Sequence, residues 1–338
     1  MSLIKVGIIG VSGLVGKAII DSIYKLNLLD KIDLYLFGTS EKNISLGTIE
    51  YTIHKYKESI FHEFELKYCI LAVDNKSARE IIQYVLDNKI NVKIIDNSSE
   101  YRLDEHVPLC VPEINFKDIQ QNHNIIANPN CSTTILVMLL KPLLNIAPIK
   151  KIIVSTYQAA SGAGYKGLEE LELQTKQYSN KEPLTLDFWK KQYIHNVFSH
   201  NSAINKDNLF NEEELKMVNE TKKILKINPK ISPTCVRVPT LRAHCLSVHI
   251  EFDRNIMENQ ILRELNKFSG IIVYDFPDSN EFPEPIIAEL NTDVYVGRIR
   301  SDIDDSSCWN FFLAGDQLLK GAGYNSVQIL EKLLNQVN

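Results

Sequence analysis

The chain has 338 residues, 44% of them hydrophobic and 23% charged, with a formal net charge of −5. A length of this order supports about two domains, and the mixed, mildly acidic charge leaves no basic face for a nucleic-acid partner. No apolar run reaches the roughly 18 residues of a membrane span; the longest, residues 135–144, is broken by Lys141 and Pro142, so no membrane partner is expected.

In chain order, IKVGIIG predicts a short buried strand that ends in the glycine-rich turn GVSGLVG, and LVGKAIIDSIYKL continues with helical spacing. KIDLYLFG reads as a second strand, and KYCILAV and VKIIDNS as two more, with the helical SAREIIQYVLDN between them. Strands and helices alternating in this way predict a doubly wound parallel sheet covered on both faces. After residue 131 the pattern changes. KKIIVSTYQ and LSVHIEF alternate as strands of a more open sheet, NEEELKMVNETKKIL is a charged amphipathic helix, and the tail from residue 315 is helical and expected to fold back onto the first domain. Residues 178–211 are polar and aromatic without a clear period and read as a long excursion or a subunit contact.

Gly10, Gly13 and Gly16 form GxxGxxG between a strand and a helix. Glycines there admit a pyrophosphate to the backbone, and the helix start offers free N–H groups and partial positive charge. An acidic residue at the end of the second strand would favour NAD. Here that strand ends in FGTSEKN, where Thr39, Ser40 and Lys42 suit a 2′-phosphate, so NADP is the expected cofactor, with Glu41 the one opposing charge.

The six cysteines (Cys69, Cys110, Cys131, Cys235, Cys245 and Cys308) are far apart and include no CxxC pair. With no secretion-signal layout at the start of the chain, reduced thiols, a cytoplasmic compartment and no metal site are expected. Cys131 stands out. It follows the turn Asn128-Pro129-Asn130 and precedes a long apolar run, which puts it at or near the N-terminus of a buried helix. Such a position stabilises a thiolate, although a buried, inert cysteine fits the same spacing. Gln158, in STYQAASGAG, stands where a strand gives way to a flexible loop. CVRVPTLRAH supplies Arg237, whose planar fork suits a carboxylate, and His244, which suits either proton exchange or a structural role. The other seven histidines read as structural or surface residues.

Taken together, GVSGLVG, DNSSEYR, VPEIN, NPNCST, TYQAASGAG, EELKMVNETKKIL, VRVPTLRAH, VGRIR and GDQLLKGAG resemble the aspartate-β-semialdehyde dehydrogenase family, in family order over nearly the whole chain. The resemblance implies a Rossmann-type NADP-binding domain formed by residues 1–130 and 318–338. It also implies an α+β catalytic and dimerisation domain, residues 131–317, with an open mixed sheet. The implied reaction is reversible NADPH-dependent reduction of L-aspartyl 4-phosphate to L-aspartate 4-semialdehyde and phosphate, on the route to lysine, threonine and methionine.

By position, Cys131 would be the nucleophile, His244 the acid/base and Gln158 the group that positions substrate. Arg237 would hold the α-carboxylate and Glu213 the α-ammonium, while Lys216 and Arg102 would bind phosphate and Asn130 would line the substrate site. Gly10, Ser12, Gly13, Leu14, Val15, Ser161, Gly162 and Gln317 would contact the cofactor, and a homodimer or dimer of dimers is implied. Without the resemblance, Glu213 and Lys216 read as a solvated i,i+3 pair. There are two departures: Leu246 stands where many relatives carry an acid, and AVDNKSA replaces a smaller glycine-rich loop. Two other readings compete. A reductase of N-acetyl-γ-glutamyl phosphate would need no acid for a free ammonium, and a dinucleotide-binding sensor would not need Cys131, Gln158, Arg237 and His244 together.

Overall fold

Buried apolar runs at the start of the chain form the strands β1 (Ile4–Ile9), β2 (Ile32–Gly38), β5 (Tyr68–Leu71), β6 (Lys93–Asp96) and β7 (Ile125–Ala127). A polar hairpin, β3 (Lys42–Leu46) and β4 (Ile49–Lys55), extends the sheet. The computed structural model describes residues 3–46 and 49–337, and by Cα proximity the chain divides into two units, Met1–Pro129 with Ala322–Asn338, and Asn130–Gly321. The first unit holds a seven-stranded sheet in the order β3-β4-β2-β1-β5-β6-β7. Every pairing in it is parallel except that of the edge hairpin, which the sequence reading did not anticipate. Between β1 and β5 the order reverses direction, and in such sheets ligands bind at the carboxyl ends of the strands at that point. The GVSGLVG turn follows β1 there.

Helices α1 (Leu14–Lys25) and α2 (Asn75–Asp87) bury Ile19, Ile20 and Ile23, and Ala78, Ile81, Ile82 and Val85, in two separate apolar clusters of this unit. The C-terminal helix Tyr324–Val337 returns to the same unit, where Val327, Leu330, Leu333 and Leu334 join the α1 cluster. Asn325 Nδ2 fastens its start to Asn128 Oδ1 (2.7 Å), and Ser326 Oγ donates to Asn97 Oδ1 (2.7 Å).

The second unit is built on β8 (Ile149–Gln158), β9 (Phe198–Ser199), β10 (Lys230–Arg237), β11 (His244–Phe252), β12 (Ile271–Val273), β13 (Val294–Ser301) and β14 (Cys308–Gly315). They form a mixed sheet in the order β12-β13-β14-β11-β8-β10-β9. Its helices are α3 (Cys131–Leu143), α4 (Tyr165–Ser179), α5 (Glu212–Leu225) and α6 (Glu258–Lys267). Leu246, Val248 and Ile250 of β11 and Phe311 and Leu313 of β14 are buried, as is nearly all of α3, which lies against β11, β13 and β14. Elsewhere on the sheet Ile153 and Tyr157 are exposed, and Ser247, His249, Asn310 and Phe312 are half-buried.

The aperiodic excursion is ordered by long-range side-chain bonds. Glu170 of α4 accepts the N–H groups of Phe188 and Trp189, and Gln174 Oε1 accepts that of Tyr193 (2.7 Å). Trp189, Tyr193 and Phe198 stack edge to face. The excursion then adds β9 antiparallel to β10, pairing Phe198 with Arg237. Among the described residues no helix is long and apolar enough to cross a membrane.

Candidate active site

The apolar run after Cys131 forms α3, of which Cys131 is the first residue. Asn130 caps the helix: its Oδ1 accepts the N–H groups of Ser132 (3.0 Å) and Thr133 (3.2 Å), two of the donors that a helix start leaves without internal partners. Cys131 is half-buried, while Ser132 to Leu140 are buried. Helix α5 fixes the same turn from a distance. Asn130 Nδ2 donates to Glu213 Oε1 (2.9 Å), and Asn130 N donates to Glu220 Oε2 (2.6 Å).

Strand register brings three further candidates together. The parallel pair β8–β10 sets Gln158 beside Arg237. The antiparallel pair β8–β11 sets Tyr157 beside Cys245, so His244 begins β11 where β8 ends. Arg237 is 3% exposed. Its Nη1 donates to Ala159 O (3.0 Å), its Nη2 meets His200 Nε2 (2.8 Å) and its Nε reaches Asn201 Oδ1 (3.4 Å). Among the described residues this leaves one hydrogen on each terminal nitrogen for a ligand. Gly162 closes over both side chains: a Cβ there would stand 2.8 Å from His244 Nε2 and 2.9 Å from Arg237 Nη1.

The N–H of Ala159 donates to His244 Nδ1 (3.1 Å), which fixes the neutral ring as the Nε2–H tautomer. Nε2 is buried and has no hydrogen-bond partner among the described residues. Leu246 is fully buried in the core. Gln158 is held at both ends of its amide: Oε1 accepts from Thr156 Oγ1 (3.0 Å) and Nε2 donates to Glu213 Oε1 (3.1 Å).

Glu213 is therefore no solvated partner of Lys216. It is 4% exposed, and its Oε2 lies 3.7 Å from Lys216 Nζ. Burial opposes its charge, but His200, Lys216, the Asn130 amide and Arg237 outweigh that and hold the carboxyl below the usual carboxylate range. His200, which the sequence reading left among the structural histidines, belongs to this cluster and is a correction to that reading. Glu220 is a second residue that the sequence did not single out. Periodicity carried no sign of either, because their partners lie far away in the chain.

Burial, with the charge of Arg237 adding to it, pushes His244 down to about 3 and His200 down to about 4 from an ordinary 6.5. Below 6.5 the unfolded chain takes up protons that these folded rings refuse. Stability is then lost as pH falls from 6.5 toward the folded values, by roughly 1 kcal/mol per pH unit for each ring. The urea midpoint should fall across that window and fall less steeply in His244→Ala. A midpoint that stays flat would contradict the burial of neutral rings.

In the first unit, Gly10 has φ +95°, and a Cβ there would stand 2.3 Å from Ala72 O. The N–H groups of Gly10 and Val11 both bond Phe37 O, which lays the turn against the end of β2. Helix α1 has no side-chain cap and no acid in its first turn, and its first internal bond runs from Lys17 N to Gly13 O (3.0 Å). Its N-terminal N–H groups thus fit a dinucleotide pyrophosphate. Ser12 and Gly13 are exposed there, and Leu14 and Val15 half-buried. Thr39, Ser40 and Lys42 follow β2 and are exposed, as a 2′-phosphate site requires. Arg102 is buried in this unit and donates through Nη2 to Asn97 O (2.8 Å). In the second unit Gln317 Nε2 donates to Ser161 Oγ (2.5 Å) and its Oε1 accepts from Ala243 N (2.8 Å), so these two candidate cofactor contacts are bonded to each other next to His244.

Two family models match the chain: a semialdehyde dehydrogenase NAD binding domain over residues 5–122 and a semialdehyde dehydrogenase dimerisation domain over residues 140–320. The aspartate-semialdehyde dehydrogenase of Aquifex aeolicus is 37% identical over 98% of both chains. That of Campylobacter jejuni is 35% identical over 99% of this chain and 98% of its own. A crystal structure of aspartate semialdehyde dehydrogenase II from Vibrio cholerae, complexed with ASA, superposes with a TM-score of 0.91 at 32% identity, covering 99% of each chain.

Proposed function

The chain belongs to the aspartate-semialdehyde dehydrogenase family, and from that premise we propose that it catalyses the reversible, NADPH-dependent conversion of L-aspartyl 4-phosphate to L-aspartate 4-semialdehyde and phosphate. The observation that carries this reading is that Gln158, Arg237 and His244 stand at adjoining strand ends while Gln158 and Asn130, the residue before Cys131, both bond the buried carboxylate of Glu213.

Cys131 attacks the acyl carbon as a thiolate, which the helix start favours. The carbon–oxygen bond to phosphate breaks, its electron pair leaves with the phosphate, and a thioester remains. A nicotinamide cofactor held at the glycine turn would supply the hydride that reduces the thioester carbon. The resulting alkoxide needs a donor, and the His244 Nε2–H, which has no partner among the described residues, can serve. As the alkoxide collapses to the aldehyde it expels the Cys131 thiolate, and the step consumes no proton. His244 thus serves as the oxyanion donor, a narrower role than the acid/base expected from the resemblance.

The two remaining hydrogens of Arg237 receive the α-carboxylate and Glu213 receives the α-ammonium. A buried, ionised acid suits a free amine and not an acylated one, which speaks against the N-acetyl substrate. Within the second unit Lys216 supplies a cation for phosphate, and Asn130 holds both Glu213 and the turn that bears Cys131. In the first unit Gly10, Ser12, Gly13, Leu14 and Val15 take the pyrophosphate side of NADP, and Thr39, Ser40 and Lys42 its 2′-phosphate. In the second, Ser161, Gly162 and Gln317 line the nicotinamide side. Copies of the chain pair through the second unit, whose sheet exposes Ile153 and Tyr157. The test is reduction of NADP by the purified protein with L-aspartate 4-semialdehyde. Turnover should require phosphate and prefer NADP to NAD; turnover independent of phosphate would contradict the reading.

A further inference from the structure

We propose that His200 is a positioning residue that fixes the spacing between Arg237 and Glu213, and so tunes the site to the carboxylate on the substrate's α-carbon. The proposal deepens the reading above and rests on Arg237 as the carboxylate site.

Arginine can only donate, so His200 Nε2, 2.8 Å from Arg237 Nη2, must accept. Nδ1 faces Ser202, whose Oγ lies at 3.0 Å and whose backbone N–H lies at 3.2 Å. The same Oγ accepts the N–H of Glu213 at 3.2 Å. One short chain of contacts runs from the guanidinium, through the imidazole and Ser202, to the backbone of the residue that bears the carboxylate. Its two ends are the groups assigned to the two charges on one substrate carbon. Ala159 O holds the other terminal nitrogen of Arg237, so the plane of the fork is fixed from both sides.

Nδ1 ties the ring to its own loop through Ser202, and that loop has further anchors. The backbone N–H of His200 bonds Cys235 O (2.8 Å), β9 pairs with β10, and the Trp189–Tyr193–Phe198 cluster anchors the segment before it. What Nε2 adds, apart from the Nδ1 contacts to Ser202, is an acceptor for Arg237.

Two substitutions separate the two ring nitrogens. In His200→Gln the side-chain oxygen reaches about as far as Nε2 and can still accept from Arg237. In His200→Asn it reaches only as far as Nδ1 and cannot. Each variant is assayed with L-aspartate 4-semialdehyde and with 3-aminopropanal, which lacks the α-carboxylate, and melting temperatures are recorded as a folding control. His200→Asn should raise KM for the semialdehyde about tenfold or more, with kcat within about threefold, as a misdirected bidentate contact would. His200→Gln should recover most of the loss, and kcat/KM for 3-aminopropanal should hardly change in either variant. Equal losses in both variants, or equal losses on both aldehydes, would overturn the proposal. A wild type that does not distinguish the two aldehydes would instead defeat the carboxylate role of Arg237, and the proposal with it.

Discussion

Cys131→Ser is expected to lower kcat by about a thousandfold or more while leaving cofactor affinity and the fold unchanged. A serine hydroxyl at the start of α3 does not ionise near neutral pH, so the attacking anion is lost. An ester would also be harder to open, because the alkoxide is a much poorer leaving group than a thiolate. The change removes one sulfur from a half-buried position, and the Asn130 cap and its bonds to Glu213 and Glu220 do not involve it. Steady-state kinetics with a binding titration of NADP separate the two effects. Retention of a tenth of the activity would exclude Cys131 as the nucleophile.

His244→Ala should lower kcat by roughly a hundred- to a thousandfold with little change in KM, the cost of losing an oxyanion donor that acts only on the tetrahedral adduct. This expectation differs from that for a histidine that cycles its proton. Burial, then the charge of Arg237, pushes the His244 ring down to about 3, and its Nδ1 lone pair is occupied by Ala159 N–H. The wild-type kcat profile should therefore show no ionisation in the ordinary histidine range that disappears in the variant. An acidic limb near 6.5 that vanishes on substitution would make His244 a proton carrier and contradict the donor assignment.

The parallel core was legible because β1, β2, β5 and β6 are continuous apolar runs and α1 and α2 have a clear helical period. The β3–β4 hairpin was not, because its apolar residues Ile44, Tyr51 and Ile53 alternate with polar ones and form no continuous run. The start of α3 at Cys131 could be read from a turn followed by an apolar segment. The excursion between residues 178 and 211 could not: its order comes from Glu170 and Gln174 bonding backbone groups 18 to 20 residues away, and from aromatic contacts with no period. His200 was hidden for the same reason, since Arg237 lies 37 residues further along the chain. Charge spacing also misled the bottom-up reading of Glu213 and Lys216, which fits a solvated helix face. In the structure the carboxylate lies beneath Asn130 and Gln158, and only the fold supplies those partners.

The central claim is a covalent acyl group on Cys131. The most direct measurement is the intact mass of the protein, followed by peptide mapping, after mixing with L-aspartyl 4-phosphate in the absence of NADPH. A gain of one aspartyl group on the peptide that contains Cys131, removed by hydroxylamine and absent from Cys131→Ser, is the predicted result. An active enzyme that never acquires that mass, or acquires it on another residue, would contradict the account.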